Sequence, residues 1–356
     1  MTKIYLIRHA EAEGNIYRRA NGHYNGLVTE RGYRQIESLR KRFEGEQIDA
    51  VYSSDLSRAS TTAASLSEPR DLPVIMSDML REVGMGEWED NAWGDIEYYN
   101  HEMNGNFSRD PAKWKVNGSE SYEDVKERMF SFITQTAKRH DGESIAMFSH
   151  GFAIRSFLCK IKGIPSHETE KMPYCDNTAV GLLIYENGEL KSGHYGDNTH
   201  LSEENSTFAK QTWWRPEQQR SVSENLRFMP LSEVAGVDLL RIFRAKAGER
   251  AHVDIQYAAF LSDEPVGIIG IDSKRDSGKN TGWINYIHII PARRNMSFAT
   301  QLLGLAVSDY RKMRREKLRI EIPSGSSGIN FMSKCGFVVL DVTDTMCIME
   351  KNIRNW

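Results

Sequence analysis

Cysteine is scarce. Only Cys159, Cys175, Cys335 and Cys347 occur in 356 residues, and no two form a C-x-x-C pair. That excludes a disulfide framework as the organising element. No apolar run approaches the roughly 20 residues needed to span a bilayer. The opening residues, MTKIYLIRHA, turn polar and charged too early for a signal peptide. Neither sign of charge is in excess: 46 basic against 49 acidic side chains, a net of −3. Binding of nucleic acid through bulk electrostatics is thereby disfavoured. Internal repeats and low-complexity tracts are also missing. What is present is an ordinary globular mixture, 40% hydrophobic and 27% charged. At about 150 residues per domain, the length predicts two domains of a cytoplasmic protein.

The two halves differ in rhythm. Up to about residue 196, short apolar runs (3–7, 50–52, 144–148) alternate with helical spacing over 30–43, 56–66, 119–138 and 152–161. Ser119 or Ser121 is suited to cap the third of these helices. Runs at 180–185 and 190–194 flank Glu186-Asn187-Gly188, a hairpin signal. Strands alternating with helices predict a mostly parallel sheet covered on both faces. Residues 197–224 are polar, contain Pro216 and lack sustained periodicity, as a linker would, with Trp213 and Trp214 suited to anchor it. Beyond it, a strand at 226–229 and a helix at 232–245 lead to strands at 254–261, 267–273 and 283–290. A helix at 298–313, a strand at 317–322, a short helix at 328–334 and two strands complete an α+β unit.

Chemistry concentrates where predicted strands end. Arg8-His9 follows the first strand, and His150-Gly151 follows the strand at 144–148 and opens a helix. Ligands of open α/β sheets bind beyond such carboxyl ends. Arg58, at the start of the helix after Ser53-Ser54, can reach the same cleft. Two arginines and two histidines around one point make a receptor for a phosphate dianion, and a neutral imidazole is a competent nucleophile toward phosphorus. A leaving alkoxide then needs a proton; Glu82, with Glu87 and Glu89 close behind, is the best acid candidate.

These residues sit in stretches that resemble the histidine phosphatase, or phosphoglycerate-mutase-like, superfamily: LIRHAEAEGN (6–15), GHYNGLVTERGYRQ (22–35), SSDLSRASTTA (53–63), LREVGMGEWED (80–90), NGSESYEDVKER (117–128), FSHGFAIR (148–155) and DNTAVGLL (176–183). They occur in the family's order. The resemblance implies a three-layer α/β/α domain over 1–203 and a metal-independent phosphatase. His9 would become phosphohistidine, with Arg8, Arg58, His150 and Asn15 on the phosphate. Glu82 would be the proton donor to the leaving group and then the base for water, and His200 would match a structural position. Family mutases carry an Arg-His-Tyr-Gly stretch after the acid region. Here Glu82-Val83-Gly84-Met85-Gly86-Glu87-Trp88 resembles the phosphatase branch, with Asp90 where Gly is common.

After a linker at 204–224, residues 225–356 resemble a Gcn5-related N-acetyltransferase (GNAT) domain. The acyl-CoA loop pattern reads Arg294-x-x-Ser297-x-Ala299, and the run from Phe331 to Phe337 matches the family's F-Y-x-K-x-G-F signature. The resemblance implies acetyl-CoA as cofactor: amides of Asn295, Met296, Ser297, Phe298 and Ala299 would hold its pyrophosphate beside Arg294, and the strand ending at Ile289 would pair with pantetheine. Ser297 replaces a glycine and Met332 the usual tyrosine. Tyr286 and His288 remain acid–base candidates, set against plain strand packing.

The expected function is a phosphomonoester phosphatase fused to an acyl-CoA N-acetyltransferase acting on a small phosphorylated metabolite and an amine acceptor, with no metal, nucleic-acid or membrane partner. Two enzymatic alternatives stand beside it: a phosphatase with a degenerate acetyltransferase-like binding or regulatory domain, and a mutase-type phosphotransferase. A third makes the first domain a non-enzymatic phospho-ligand binder. Substrate and oligomeric state are left open.

Overall fold

The computed structural model describes residues 1–215, 224–234 and 255–355. It divides into two compact units. One comprises Met1–Ala12, Ala20–Glu89 and Tyr99–Arg220; the other takes Glu13–Arg19, Asp90–Tyr98 and Ser221–Trp356.

In the first unit β1 (Thr2–Arg8), β2 (Ala50–Ser54), β3 (Val74–Ser77), β4 (Ser144–Ser149), β5 (Val180–Glu186) and β6 (Glu189–Ser192) form one sheet in the order β3-β2-β4-β1-β5-β6. The first four are mutually parallel, and β5 joins antiparallel to β1. β1 and β4 are apolar on both faces because helices cover both. On one face, Tyr5, Ile7, Val51 and Phe148 share a core with Leu39 and Phe43 of the first long helix and its end and with Ala63 and Leu66 of the helix Ser57–Ser67. Ile4 and Leu6 point to the other face, which the helices Tyr122–Arg139 and Gly151–Ile161 cover. Thr29 caps the helix Glu30–Arg42 by accepting from Gly32 N, and Ser121, rather than Ser119, caps Tyr122–Arg139. The expected hairpin turns at Asn187 and Gly188, both at positive φ (53° and 89°), as a two-residue turn between twisted strands requires.

The polar stretch is packed into this unit as far as Trp214. Ser206 and Phe208 both bond to Asp176, Trp214 stacks on Phe208 at 4.7 Å, and Trp213 lies edge-on to Tyr174 at 5.2 Å.

Among the described residues, the second unit has seven strands: β7 (Arg227–Pro230), β8 (Ile255–Leu261), β9 (Glu264–Asp272), β10 (Thr281–Ile289), β11 (Lys317–Pro323), β12 (Val338–Val342) and β13 (Met346–Asn352), in the order β12-β13-β11-β10-β9-β8-β7. Of the neighbouring pairs among these described strands, only β10 and β11 run parallel. Its core joins Ile269, Ile284, Ile320 and Met349 to Leu302, Leu303 and Ala306 of the helix Phe298–Lys312, and includes Tyr17 and Ala92. The helix expected over 232–245 falls largely on residues outside the described ones.

Candidate active site

Strand register brings the two histidines together. β1 and β4 are parallel neighbours whose last paired residues are Arg8 and Ser149, so His9 and His150 leave the sheet side by side. His9 N donates to Ser149 O at 2.9 Å, and the imidazole centroids lie 5.0 Å apart. His9 Nδ1 is 2.7 Å from Ala10 O, so that nitrogen carries the proton and Nε2 keeps its lone pair. Both rings are buried. Burial, then the charge of Arg58, holds each well below the usual histidine range; Arg8 adds to the effect on His9, and His9 to that on His150. Both imidazoles are therefore neutral at neutral pH.

Two guanidinium groups complete the cluster. Arg58, fully buried, donates to the carbonyls of Asn21, Gly22 and Tyr24 at 3.1, 2.8 and 3.0 Å. Burial lowers its pKa to about 10, which leaves it protonated. Arg8 Nη1 donates to Cys175 O at 2.5 Å, and its Nε lies 3.4 Å from where a side chain on Gly151 would begin. His150 Nε2 is 2.9 Å from Ser54 Oγ at the end of β2. Arg8 Nε, Arg58 Nε and His150 Nδ1 are all buried without a hydrogen-bond partner. Three polar nitrogens from three separate segments left so are costly unless something they bind satisfies them.

Glu82 stands over the start of the helix Gly151–Ile161. Its carboxylate accepts from Phe152 N at 3.1 Å, Ala153 N at 2.9 Å and Val83 N at 3.0 Å, where the helix dipole favours negative charge. Arg128 fixes the acid loop by donating to the carbonyls of Met79, Arg81 and Glu82 while paired with Glu120. Glu89 is committed elsewhere, accepting from His23 N, Tyr24 N and Met85 N, and Glu87 accepts from Asn117. Of the three neighbouring acids, Glu82 is the one bonded to the first amides of the helix that His150 opens.

Sequence reasoning missed several supports. Asn177 donates to His9 O at 2.9 Å, Thr62 accepts from Ala10 N at 2.9 Å, and Ser54 and Arg128 act as above. Each lies in a motif stretch already singled out, but nothing in its residue type announced a role. His200 bonds to Arg42 and to Thr178, whose N donates to His9 O at 3.3 Å; burial and Arg42 lower its pKa to about 4. Asn15 lies half-buried on the short helix Glu13–Tyr17, a segment of the second unit.

In the second unit, β10 and β11 pair only from Thr281–Lys317 to Ile284–Ile320, although both strands run on; a bulge follows Ile284 on the β9 side. Ile289, buried, closes β10. Arg294 Nε donates to Ile289 O, Asn295 and Ser297 have φ of 62° and 61°, Met296 is exposed, and Phe298 and Ala299 open the helix. Ser297 thus holds the left-handed conformation that glycine adopts most easily. Met332 is buried in the core, and no phenol stands in its place. Tyr286 and His288 lie two residues apart on one strand face, opposite Gly270 and Ile268. Among the described residues, no group of three or more His, Cys, Asp or Glu could hold a metal ion, and no helix is long and apolar enough to cross a membrane.

Comparison with known proteins identifies the family of each half of the chain. The family model of the histidine phosphatase superfamily (branch 1) matches residues 4–198, more than half of the chain, and that of the GNAT acetyltransferase family matches 221–337. Phosphoserine phosphatase 1 of Hydrogenobacter thermophilus is 29% identical over 186 residues, 52% of this chain and 88% of its own. A protein named probable phosphoglycerate mutase GpmB, from Yersinia pestis, is 25% identical over 205 residues, 56% of this chain and 95% of its own. The solved structure of Bacillus stearothermophilus YhfR superposes with a TM-score of 0.55 at 28% identity, covering 56% of this chain and 99% of that one. The chain belongs to the histidine phosphatase superfamily and carries a GNAT acetyltransferase domain in the same polypeptide.

Proposed function

We propose that the first domain hydrolyses a phosphate monoester of a small metabolite, in the cytoplasm, through a phosphohistidine on His9. What supports this reading is one observation: a neutral, buried His9 with Nε2 unprotonated stands beside two buried arginines and His150, three of whose nitrogens lack partners. The phosphoryl group is held by Arg8, Arg58 and His150, with Asn15 as a further ligand by family resemblance. Glu82 first takes up a proton from solvent or from the monoanionic ester. His9 Nε2 attacks phosphorus, the bond to the ester oxygen breaks, and the Glu82 carboxylic acid delivers that proton to the departing alcohol. Water then attacks the phosphohistidine while Glu82 takes a proton from it, releasing phosphate and restoring His9. The fixed guanidinium charges stabilise the equatorial oxygens through both steps, since phosphoryl transfer depends chiefly on positioning and electrostatics. Assaying a phosphate-ester panel with the intact chain and with His9→Ala tests it. Phosphate release that His9→Ala abolishes is expected, and release that survives the substitution would make the first domain a binding module. Because relatives carry both phosphatase and mutase names, added alcohols serve as a second arm: faster decay of the phosphoenzyme would identify phosphotransfer.

For the second domain the proposal is an acetyl-CoA site formed by Ile289 and Arg294–Ala299. The residues fit in backbone terms: left-handed Asn295 and Ser297 precede a 15-residue helix whose first amides are available to a pyrophosphate. When bound, the cofactor supplies a thioester acyl group for an amine. Calorimetric titration with acetyl-CoA tests this, and binding without turnover on any amine would favour a regulatory module, as the loss of the phenol at Met332 suggests.

A further inference from the structure

The residues Glu13–Arg19 and Asp90–Tyr98 lie inside the stretch matched by the phosphatase family, yet they pack as part of the second unit. One face of the helix Phe298–Lys312 is devoted to them. Gly304, Ser308 and Arg311 stand at i, i+4 and i+7 and so share that face. A Cβ on Gly304 would lie 2.4 Å from Cβ of Tyr17. Ser308 Oγ bonds to Asp90 Oδ2, and Asp90 pairs with Arg19 Nε at 2.8 Å. Arg311 Nη2 pairs with Glu13 at 2.8 Å, both side chains being under 5% exposed. Lys351 Nζ lies 3.3 Å from the other Glu13 oxygen and donates to Cys335 O. Arg311 Nε also donates to Ile353 O at 2.5 Å, so the grip on Glu13 is itself held.

The phosphatase mechanism uses none of these groups. A buried carboxylate held by a buried arginine and a largely covered lysine is costly to assemble, and its best-attested use is to fix one arrangement of the chain. Glu13 is four residues beyond His9, and Asp90 follows directly on the loop that carries Glu82 and Glu89. We propose that Arg311 and Lys351 are positioning residues for the phosphatase: by clamping Glu13 they set the chain that leaves the His9 loop. The GNAT-type unit thereby becomes a working part of the phosphatase. The coupling runs through the polypeptide itself, and it rests on the phosphatase reading above.

Glu13→Gln in the full-length chain tests the proposal by two readouts: calorimetric affinity for inorganic phosphate, and the single-turnover rate of phosphoenzyme formation. Displacing a reacting group by a fraction of an ångström to one ångström costs about ten-fold to a hundred-fold. The expected result is a loss of about that size in both, in a chain that still melts cooperatively. Should Glu13→Gln fail to fold, the triple variant Glu13→Met, Arg311→Met, Lys351→Met replaces the whole charge cluster by apolar chains and keeps the core filled. It is expected to fold and show the same loss. A folded variant with phosphate affinity and rate within two-fold of the parent would overturn the proposal while leaving the phosphatase reading intact. A parent that binds no phosphate and forms no phosphoenzyme would overturn both.

Discussion

Replacing Glu82 by glutamine keeps the side chain's volume and removes its charge and its capacity for proton transfer. The three N–H groups of Val83, Phe152 and Ala153 then face one neutral carbonyl oxygen and an amide NH2 in place of two anionic oxygens. A hydrogen bond to a charged group contributes about 1.5–3 kcal/mol against about 1 for a neutral one. A negative charge at a helix N-terminus contributes a further ~0.3–1 kcal/mol. Together these predict destabilisation by at least about 2 kcal/mol, measurable by denaturant unfolding. The catalytic effect has its own signature. General acid catalysis is worth about 10²–10⁴-fold, and it matters only where the departing alkoxide is a strong base. In single-turnover phosphoenzyme formation, an alkyl phosphate is expected to lose about that factor, whereas a nitrophenyl phosphate, whose leaving group needs no proton, is expected to lose less than about ten-fold. Equal losses for the two esters would refute the assignment of Glu82 as the acid.

Four further outcomes are expected. His9 and His150 are held neutral, below their unfolded pKa near 6.5, so the stability they contribute is complete above pH 6.5 and lost as pH falls. The slope should reach up to about 1.4 kcal/mol per pH unit for each, visible in unfolding curves taken stepwise from pH 7 to 5. Asp95 of the second unit shows the opposite sign: burial raises its pKa to about 6, so it favours the fold below its unfolded pKa of 3.8, and this is lost as pH rises through 6. Asp95→Asn should therefore raise stability at pH 8 by up to about 3 kcal/mol and make no difference below pH 4, as comparative melting would report. Asp90→Gly relieves a φ of 58° but strands the buried Arg19, and a net loss of about 3 kcal/mol is expected in the same assay. Ser297→Gly relaxes a φ of 61°, which should stabilise the second unit by ~0.5–1 kcal/mol and tighten acetyl-CoA binding in calorimetry.

The first sheet's central strands and the long helices were legible because their apolar patterns are uninterrupted, and β1 and β4 read as buried runs. Of the two serines offered as a cap for the helix Tyr122–Arg139, Ser121 is the one that caps it, whereas Thr29 was not foreseen as a cap. β3 escaped notice. It is a four-residue edge strand whose Ile75 and Met76 stay exposed, so no buried period reveals it. The helices Trp93–Tyr99 and His101–Arg109 were missed for a related reason, being short and partly polar. At the site, His9, His150, Arg8 and Arg58 could be singled out because strand ends and charge locate them. Ser54, Thr62, Asn177 and Arg128 could not, since they act through single hydrogen bonds that only register and loop closure create. Nor did Glu13, Arg19 and Asp90 betray their partners. Their ion pairs and hydrogen bonds join residues far apart in the chain, Arg311 to Glu13 across 298 positions and Lys351 to Glu13 across still more, beyond the reach of any local pattern.

The central claim is that His9 carries the phosphoryl group. Rapid quenching of the intact chain with a turned-over phosphate ester, followed by peptide mass spectrometry under conditions that preserve acid-labile phosphate, reads this directly. Phosphate on His9 alone, and none in His9→Ala, is the predicted result. Phosphate on any other residue, or full turnover by His9→Ala, would contradict the account.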